Sequence, residues 1–350
     1  MPVTFKTLDA MLDHGFDTVI DVRSPAEFAA DHVPGAINLP ALSNAERAEV
    51  GTIYKQVSPF DGRKIGAAMV IRNLANHLDG PLSEKDGSWR PLVYCWRGGQ
   101  RSGVFAGLLG EVGWRAETVK GGYQTYRRLV NTALYDQPLA HRLILLDGNT
   151  GTAKTELLHR LAARGVQMID LEGLARHRGS LLGAQPGGQP AQKAFETAIA
   201  NALRGMTPDL PVLIEAESSK IGRLVIPPSL WVAMLQAPRI VLDVPQAARA
   251  QYLATAYHDV IADPNIVATR LAPLRRLRGH RVVDRWVALS QQGELVDLSY
   301  ALMQDHYDPA YEKSRRIDDR DIIARIAANT LDDDAQEKAA DQILTILKAL

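Results

Sequence analysis

A single cysteine, Cys95, stands in 350 residues, which excludes an intramolecular disulfide and any cysteine-rich zinc site. An excess of charge of either sign is also missing: 40 Lys and Arg are balanced by 40 Asp and Glu, for a formal net charge of +0. A uniformly basic nucleic-acid binder is thereby excluded, and any polyanion has to be met on a local patch. The chain carries no long apolar run and no amino-terminal signal pattern, so a cytoplasmic protein without a membrane partner is expected. That compartment keeps Cys95 reduced. Internal repeats and low-complexity segments are missing too. What the chain does have is 46% hydrophobic residues, enough at this length to bury two domain cores.

The lone cysteine sits in an informative place. Residues 92–103 read Leu-Val-Tyr-Cys-Trp-Arg-Gly-Gly-Gln-Arg-Ser-Gly, an apolar strand that delivers Cys95 into a loop ending at a helix expected from Ser102 through Gly110. A thiolate becomes nucleophilic at neutral pH when cations and a helix N-terminus lower its pKa below about 8.5. Arg97 and Arg101 supply the charge, and Gly98 and Gly99 let successive amides converge on one point. Trp96, Gln100 and Ser102 complete the anion cradle. A buried, inert thiol is the ordinary fate of a free cysteine; two arginines, two glycines and a following helix weigh against it here.

Upstream, Thr18-Val19-Ile20-Asp21-Val22-Arg23 is a short β-branched run. Ser24-Pro25-Ala26-Glu27 follows as a capping box with proline at the first helical position. Then come Asp31-His32-Val33-Pro34-Gly35-Ala36-Ile37-Asn38-Leu39 and, after the cysteine loop, Gly121-Gly122-Tyr123. Over about residues 5–130 this series of motifs resembles the rhodanese domain. The resemblance implies that Cys95 carries a transferable chalcogen or attacks phosphate, with Asp21, Arg23 and His32 holding the scaffold. Five residues separate Cys95 from Arg101, the spacing of the phosphatase relatives rather than the four usual in sulfur-transferring members, which implies a cradle sized for a tetrahedral anion.

A second centre begins beyond a boundary at 131–140, where Asp136-Gln137-Pro138 interrupts the pattern. Leu143-Ile144-Leu145-Leu146-Asp147 reads as a buried parallel strand, followed by Gly148-Asn149-Thr150-Gly151-Thr152-Ala153-Lys154-Thr155 and a helix through Leu161. This resembles a Walker A P-loop: backbone wraps phosphate, Lys154 supplies charge, and Thr155 is the hydroxyl available to magnesium. Ala153 departs from the pattern, which has glycine before the lysine, so diphosphate binding is better supported than NTP hydrolysis. Pro211-Val212-Leu213-Ile214-Glu215-Ala216-Glu217 takes the place of a Walker B element, with Glu215 or Glu217 positioning magnesium or water. Ser218-Ser219-Lys220-Ile221-Gly222-Arg223 offers hydroxyls and cations at the same sheet edge.

The expected architecture is α/β: a rhodanese-like domain over 1–133, a P-loop NTPase-like α/β domain over 134–245 and a mainly helical region over 246–350. That order, together with Asp170-Leu171-Glu172-Gly173-Leu174-Ala175-Arg176-His177-Arg178-Gly179-Ser180 and Glu215-Ala216-Glu217-Ser218-Ser219-Lys220-Ile221-Gly222, resembles the tRNA 2-selenouridine synthases across the whole chain. The resemblance implies a tRNA carrying 2-thiouridine at the wobble position. Its sulfur is alkylated from geranyl diphosphate, and selenophosphate then supplies selenium with loss of geranylthiol. It also implies a selenophosphate-producing enzyme as partner and no permanently bound cofactor beyond magnesium. The preferred assignment gives geranyl diphosphate to the P-loop and selenophosphate to the cysteine loop. The alternatives are a rhodanese-type sulfurtransferase or phosphatase with an appended NTPase, and a nucleotide-switched binding protein.

The local patch for tRNA is Arg270, Arg275, Arg276, Arg278, Arg281 and Arg285, with His280 among them and only Asp284 opposing. A solvated helix face paired with Asp318-Asp319 or Asp332-Asp333-Asp334 is the alternative reading. Trp96 is a candidate to stack on an unpaired base. Helices are expected over Ala45–Gln56, Lys64–Leu78, Gln246–Ile261, Pro273–Gln292, Glu294–Met303 and Ala335–Leu350, with breaks at Asp263-Pro264-Asn265 and Gln291-Gln292-Gly293.

Overall fold

Short apolar runs buried on both faces form the centre of two parallel sheets, as the β-branched composition requires. A computed structural model describes residues 2–315 and 321–350. The chain divides into two compact units, Met1–Gln137 with Ala191–Asn201, and Pro138–Pro190 with Ala202–Leu350.

The first unit holds strands β1 (Pro2–Val3), β2 (Thr18–Asp21), β3 (Ile37–Asn38), β4 (Pro91–Tyr94) and β5 (Glu117–Val119), ordered β1-β5-β4-β2-β3 and all parallel. Its helices are α1 (Leu8–Leu12), α2 (Pro25–Ala30), α3 (Asn44–Gln56), α4 (Pro59–Asp79), α5 (Gln100–Val112) and α6 (Gly122–Asn131). Glu27 reaches back to the Ser24 amide to close the expected capping box, and Ser43 with Glu46 forms another at the start of α3. Helix α4 starts five residues earlier than its apolar spacing suggested, because Ser58 caps it and Pro59 fits the first turn. Ile20, Val22, Leu74, Val93, Phe105 and Leu109 form the core between sheet and helices.

The second unit contains β6 (Leu143–Gly148), α7 (Lys154–Ala162), β7 (Gln167–Ile169), α8 (Leu171–Ala175), α9 (Gln192–Arg204), β8 (Val212–Glu215), the antiparallel pair β9 (Lys220–Ile221) and β10 (Leu224–Val225), α10 (Pro228–Gln236) and β11 (Arg239–Asp243). Residues 192–201 of α9 group with the first unit, where Thr197 meets Tyr126 and Glu196 pairs with Arg127 and Tyr135. The rest of the second unit comprises α11 (Gln246–Ala256), α12 (His258–Ile261), α13 (Pro264–Leu271), α14 (Arg275–Arg278), α15 (His280–Gln291), α16 (Leu295–Leu302), α17 (Asp308–Arg315), β12 (Ile322–Ala327) and α18 (Asp333–Lys348). The parallel sheet runs β12-β11-β6-β8-β7.

Residues 246–350 are therefore not a separate helical region. Strand β12 completes the P-loop sheet, and Ala340 and Ile343 of α18 pack with Leu157, Leu158 and Leu161 of α7. The expected helix over 273–292 is broken at Gly279, whose φ of +87° leaves the helical region, and Asp263 caps α13 instead of merely interrupting the chain. A separate cluster of Val267, Leu271, Val283, Trp286 and Leu298 holds the helices after β11 together. Among the described residues no helix is long and apolar enough to cross a membrane.

Candidate functional site

Cys95 follows β4 directly, at the carboxyl end of a central strand, and α5 begins five residues later with Gly99 as its N-cap. The loop turns through Gly98 at φ +66°, where an added Cβ would lie 2.5 Å from the Val119 carbonyl oxygen. Cys95 is buried, and the Ser102 hydroxyl donates to its sulfur at 3.2 Å. Burial pushes the thiol up, but the Ser102 hydroxyl and the backbone amides of Ser102, Gly99 and Arg97 outweigh it and hold Cys95 below its ordinary pKa. Neutral donors thus do what the sequence suggested of the arginine charges. Arg97 is exposed, and Arg101 is held 3.3 Å from Glu27, which also pairs with Arg47 at 2.9 Å.

The thiol faces a cavity of about 940 Å³ lined by Arg23, Arg47, Arg97, Arg101 and Lys193, with Glu27 and Asp31 opposing them. Gly99, Gln100 and Trp96 also line it, whereas Ser102 acts from beneath. Arg23 is fixed: it pairs with Asp21 at 2.6 Å, donates to the Asp31 carbonyl at 2.7 Å and lies 3.9 Å from the Tyr123 ring centre. His32 bonds the Phe28 carbonyl and stacks on the Phe28 ring, away from the thiol's hydrogen bonds. Trp96 forms wall beside Tyr123, with the Lys193 ammonium 5.4 Å from its ring centre. Lys193 escaped the sequence reading because it lies nearly a hundred residues from the loop, in a helix with no local motif.

In the second unit Gly148–Thr155 wraps from β6 into α7 as the motif requires, and Lys154 donates to the Gly148 carbonyl at 3.0 Å. Ala153 holds φ +57°, the left-handed conformation that glycine adopts freely and that costs alanine about 1–2 kcal/mol. The departure from the motif therefore preserves the loop's path at the cost of strain. Arg249 braces the loop from behind, donating to the Thr150 carbonyl at 3.1 Å and pairing with Asp308 at 2.8 Å, while Asn149 also reaches Asp308. Thr152 donates to the Asn149 carbonyl at 2.9 Å.

Thr155 donates to Glu215 at 2.6 Å and approaches Glu172 at 3.4 Å. Glu215 is on the strand next to the P-loop strand, paired in register with Leu146. Together with Glu217, these carboxylates surround Lys154, beside a cavity of about 430 Å³ that Lys154, Glu172 and Glu217 line with Tyr252, Tyr257, Tyr307 and Tyr311. Glu172 was legible as an acid just past β7 at the carboxyl edge of the sheet; the tyrosines, carried by helices far along the chain, had no signal. Among the described residues no group of three or more His, Cys, Asp or Glu forms a metal cage. Hydroxyl and one or two carboxylates do suit magnesium, which takes its remaining ligands from phosphate and water.

Burial raises Glu172, and Glu215 and Glu217 add to the rise, pushing it up to about 9 against the pull of Lys154. Burial likewise raises Glu215 to about 8, against the Thr155 hydrogen bond. The folded protein thus retains protons that an unfolded chain with carboxylates near 4.5 has released, so these groups reduce stability as pH rises from about 4.5 to 9. Thermal melts between pH 6 and 8.5 are expected to fall by at least about 2 °C from this source. Glu172→Gln flattens that slope; a slope unchanged in the variant contradicts the assignment.

The six candidate tRNA-binding arginines are only partly free. Arg270 donates to the carbonyls of Leu182 and Ala184, Arg275 pairs with Asp284 at 2.6 Å, Arg278 binds His306, and Arg285 pairs with Asp305 at 3.1 Å. Arg276 and Arg281 are exposed and without an ion pair among the described residues. Of the acids named as alternative partners, Asp332 caps α18, Asp333 pairs with Arg160 and Asp334 is exposed, while Asp318 and Asp319 lie outside the described residues.

The sequence model of a rhodanese-like domain matches residues 4–129, and that of the tRNA 2-selenouridine synthase AAA domain matches residues 141–270. A tRNA 2-selenouridine synthase from Hahella chejuensis is 34% identical over 329 residues, covering 84% of each chain. Another from Aeromonas salmonicida is 38% identical over 248 residues, covering 69% of this chain and 65% of its own. A solved rhodanese-related protein from Thermoplasma volcanium is similar at 18% identity and a TM-score of 0.23, covering 36% of this chain and 90% of its own. With two domain matches in the expected order and homology along most of its length, this chain belongs to the tRNA 2-selenouridine synthase family.

Proposed function

We propose that the chain converts 2-thiouridine at the tRNA wobble position into 2-selenouridine in two transfers, one at each site. The observation that carries this reading is the presence of two unlike phosphate cradles in one chain: a P-loop around Lys154 and a thiol loop ringed by cations. In the first transfer the thiocarbonyl sulfur attacks C1 of geranyl diphosphate, forming C–S as C–O breaks, and N3 of the base gives up its proton to water. Lys154 and the loop amides neutralise the departing diphosphate. Magnesium supplies Lewis-acid charge for that departure when bound, and Thr155 and Glu215 are the residues that would hold it.

Alkylation converts a poor leaving group into a thiol. In the second transfer the selenium of selenophosphate attacks C2, C–Se forms as C–S breaks, geranylthiol leaves with a proton, and water cleaves the P–Se bond to release phosphate. Cys95 receives or orients the selenophosphate donor, whose phosphate suits Arg97, Arg101 and the amides of Gly98, Gly99 and Gln100. Exposed Arg276 and Arg281 supply local charge for the tRNA backbone. The reading implies a selenophosphate-making enzyme as partner and cytoplasmic tRNA as substrate.

The test incubates pure protein with 2-thiouridine tRNA, geranyl diphosphate and selenophosphate, then weighs the digested nucleosides. Selenouridine that requires both donors, with geranylated thiouridine accumulating when selenophosphate is withheld, is the expected result. Unmodified tRNA with folded protein overturns it and leaves the small-donor sulfurtransferase.

A further inference from the structure

Beside the thiol cavity, and sharing Arg47, Gln100 and Arg101 with it, runs a second groove of about 1000 Å³ between α3, α4 and the start of α5. Its interior is apolar: Val50, Tyr54, Val70 and Val104 line it. Tyr54 and Val104 are exposed by 47% and 41%, so the groove is open to a ligand rather than filled by core. Its size lies at the upper end of the roughly 300–1,000 Å³ of small-molecule sites. Gly62 and Gly66 seat α4 against α3: a Cβ at Gly62 would meet the Tyr54 backbone at 2.8 Å, and one at Gly66 would meet Val50 at 3.1 Å. The helix pair that carries the groove is therefore tightly set.

Two features select the occupant. The charged side chains lining it are all cations, Arg47 and Arg101 sharing Glu27 and Lys55 and Arg63 standing exposed, which fits an apolar group attached to a polyanion. Continuity with the thiol cavity is also direct, since Gln100 and Val104 stand four residues apart on α5, about 6 Å along the helix and just over one turn. An apolar chain held at Val104 thus extends from a reacting atom held at the cysteine loop.

From these we infer that the groove holds the prenyl chain of the S-prenylated wobble base while its C2 is presented to the selenium donor at Cys95. The assignment rests on the proposed function of the thiol site and adds to it a specificity surface. It gives the departing thiol a place to stand clear of the incoming selenium, and it discriminates alkylated from unalkylated tRNA by burying hydrocarbon.

The test uses the full chain and two synthetic anticodon stem-loops, one bearing S-geranyl-2-thiouridine and one S-methyl-2-thiouridine. Affinity is read by fluorescence anisotropy and selenouridine formation by nucleoside mass. Wild-type protein is expected to bind the geranyl stem-loop at least about tenfold more tightly. Val104→Asp and Tyr54→Ser, both at exposed positions, are expected to abolish that preference while leaving S-methyl affinity within about twofold; a melt confirms each fold. Wild-type preference retained in both variants, or equal weakening of both stem-loops, overturns the groove assignment. Failure of wild-type protein to form selenouridine from the geranyl stem-loop overturns the thiol-site reading and this inference with it, whereas turnover with unaltered preference in the variants overturns the inference alone.

Discussion

Cys95→Ser accumulates geranylated tRNA and loses selenium incorporation by at least about 10³-fold, the scale on which removal of an essential catalytic group acts. The thiol sits among donors arranged for an anion: the Ser102 hydroxyl and three backbone amides converge on the sulfur and lower its pKa despite burial. A serine hydroxyl does not ionise at neutral pH in the same cradle, so it cannot replace the thiolate that receives or orients the selenium donor. The substitution removes little else, because those donors satisfy a buried hydroxyl as well as they satisfy the thiol. Folding is therefore expected to survive, and the geranylation step, which depends on Lys154 and Thr155, to proceed at the wild-type rate. Mass analysis of nucleosides from a complete reaction reads both outcomes at once. Loss of both modifications in a folded variant refutes the division of labour between the two sites.

The thiol loop was legible because its parts are contiguous. Strand, cysteine, glycines and helix start fall within a dozen residues, and local pattern is what a sequence displays most directly. The same locality misled about cause. Arg97 and Arg101 look like the groups that lower the thiol pKa, yet Arg101 is turned to Glu27, a partner seventy-four positions away, and the lowering comes from amides and a serine that carry no charge. Lys193 reaches the same cavity only because residues 191–201 group with the first unit, a non-local choice settled by the Tyr126–Thr197 hydrogen bond and the Arg127–Glu196 ion pair.

In the second unit the buried strands β6 and β8 and the loop between β6 and α7 were readable from apolar runs and glycines. Strand β12 was not, since Ile322–Ala327 is a partly exposed edge strand lying in a stretch dominated by helical spacing. The arginine cluster shows the limit of charge patterning: four of its six members are consumed by carbonyls, a histidine and carboxylates that the fold brings to them. Clustering along the chain measures charge density, whereas availability depends on what packs alongside.

Lys154→Ala is expected to weaken geranyl diphosphate binding by at least about 100-fold and to abolish geranylation, while selenation of a pre-geranylated stem-loop continues. The lysine rests on the Gly148 carbonyl, 3.0 Å away, among Glu172, Glu215 and Glu217. Burial lowers its pKa, but Tyr311 and the three carboxylates outweigh this and raise it, so it stays charged through neutral pH. A diphosphate entering this cavity meets Glu172 and Glu215 largely protonated at neutral pH, and the lysine supplies charge-assisted bonds to it, each worth roughly 1.5–3 kcal/mol. Its removal takes away a buried charge-assisted partner of the diphosphate, which is why the affinity loss exceeds that of one neutral hydrogen bond. The fold itself is less sensitive: Glu172 and Glu215 are already held well above the usual carboxylate range, and without the cation they are driven further up. Because a raised lysine pKa stabilises the fold below the unfolded value of 10.5 and ceases to do so as pH rises through the folded value, the residual loss of stability is seen at neutral pH and vanishes in strong alkali. Calorimetric titration with geranyl diphosphate and magnesium measures the binding term directly, and an unchanged affinity removes the diphosphate from the P-loop.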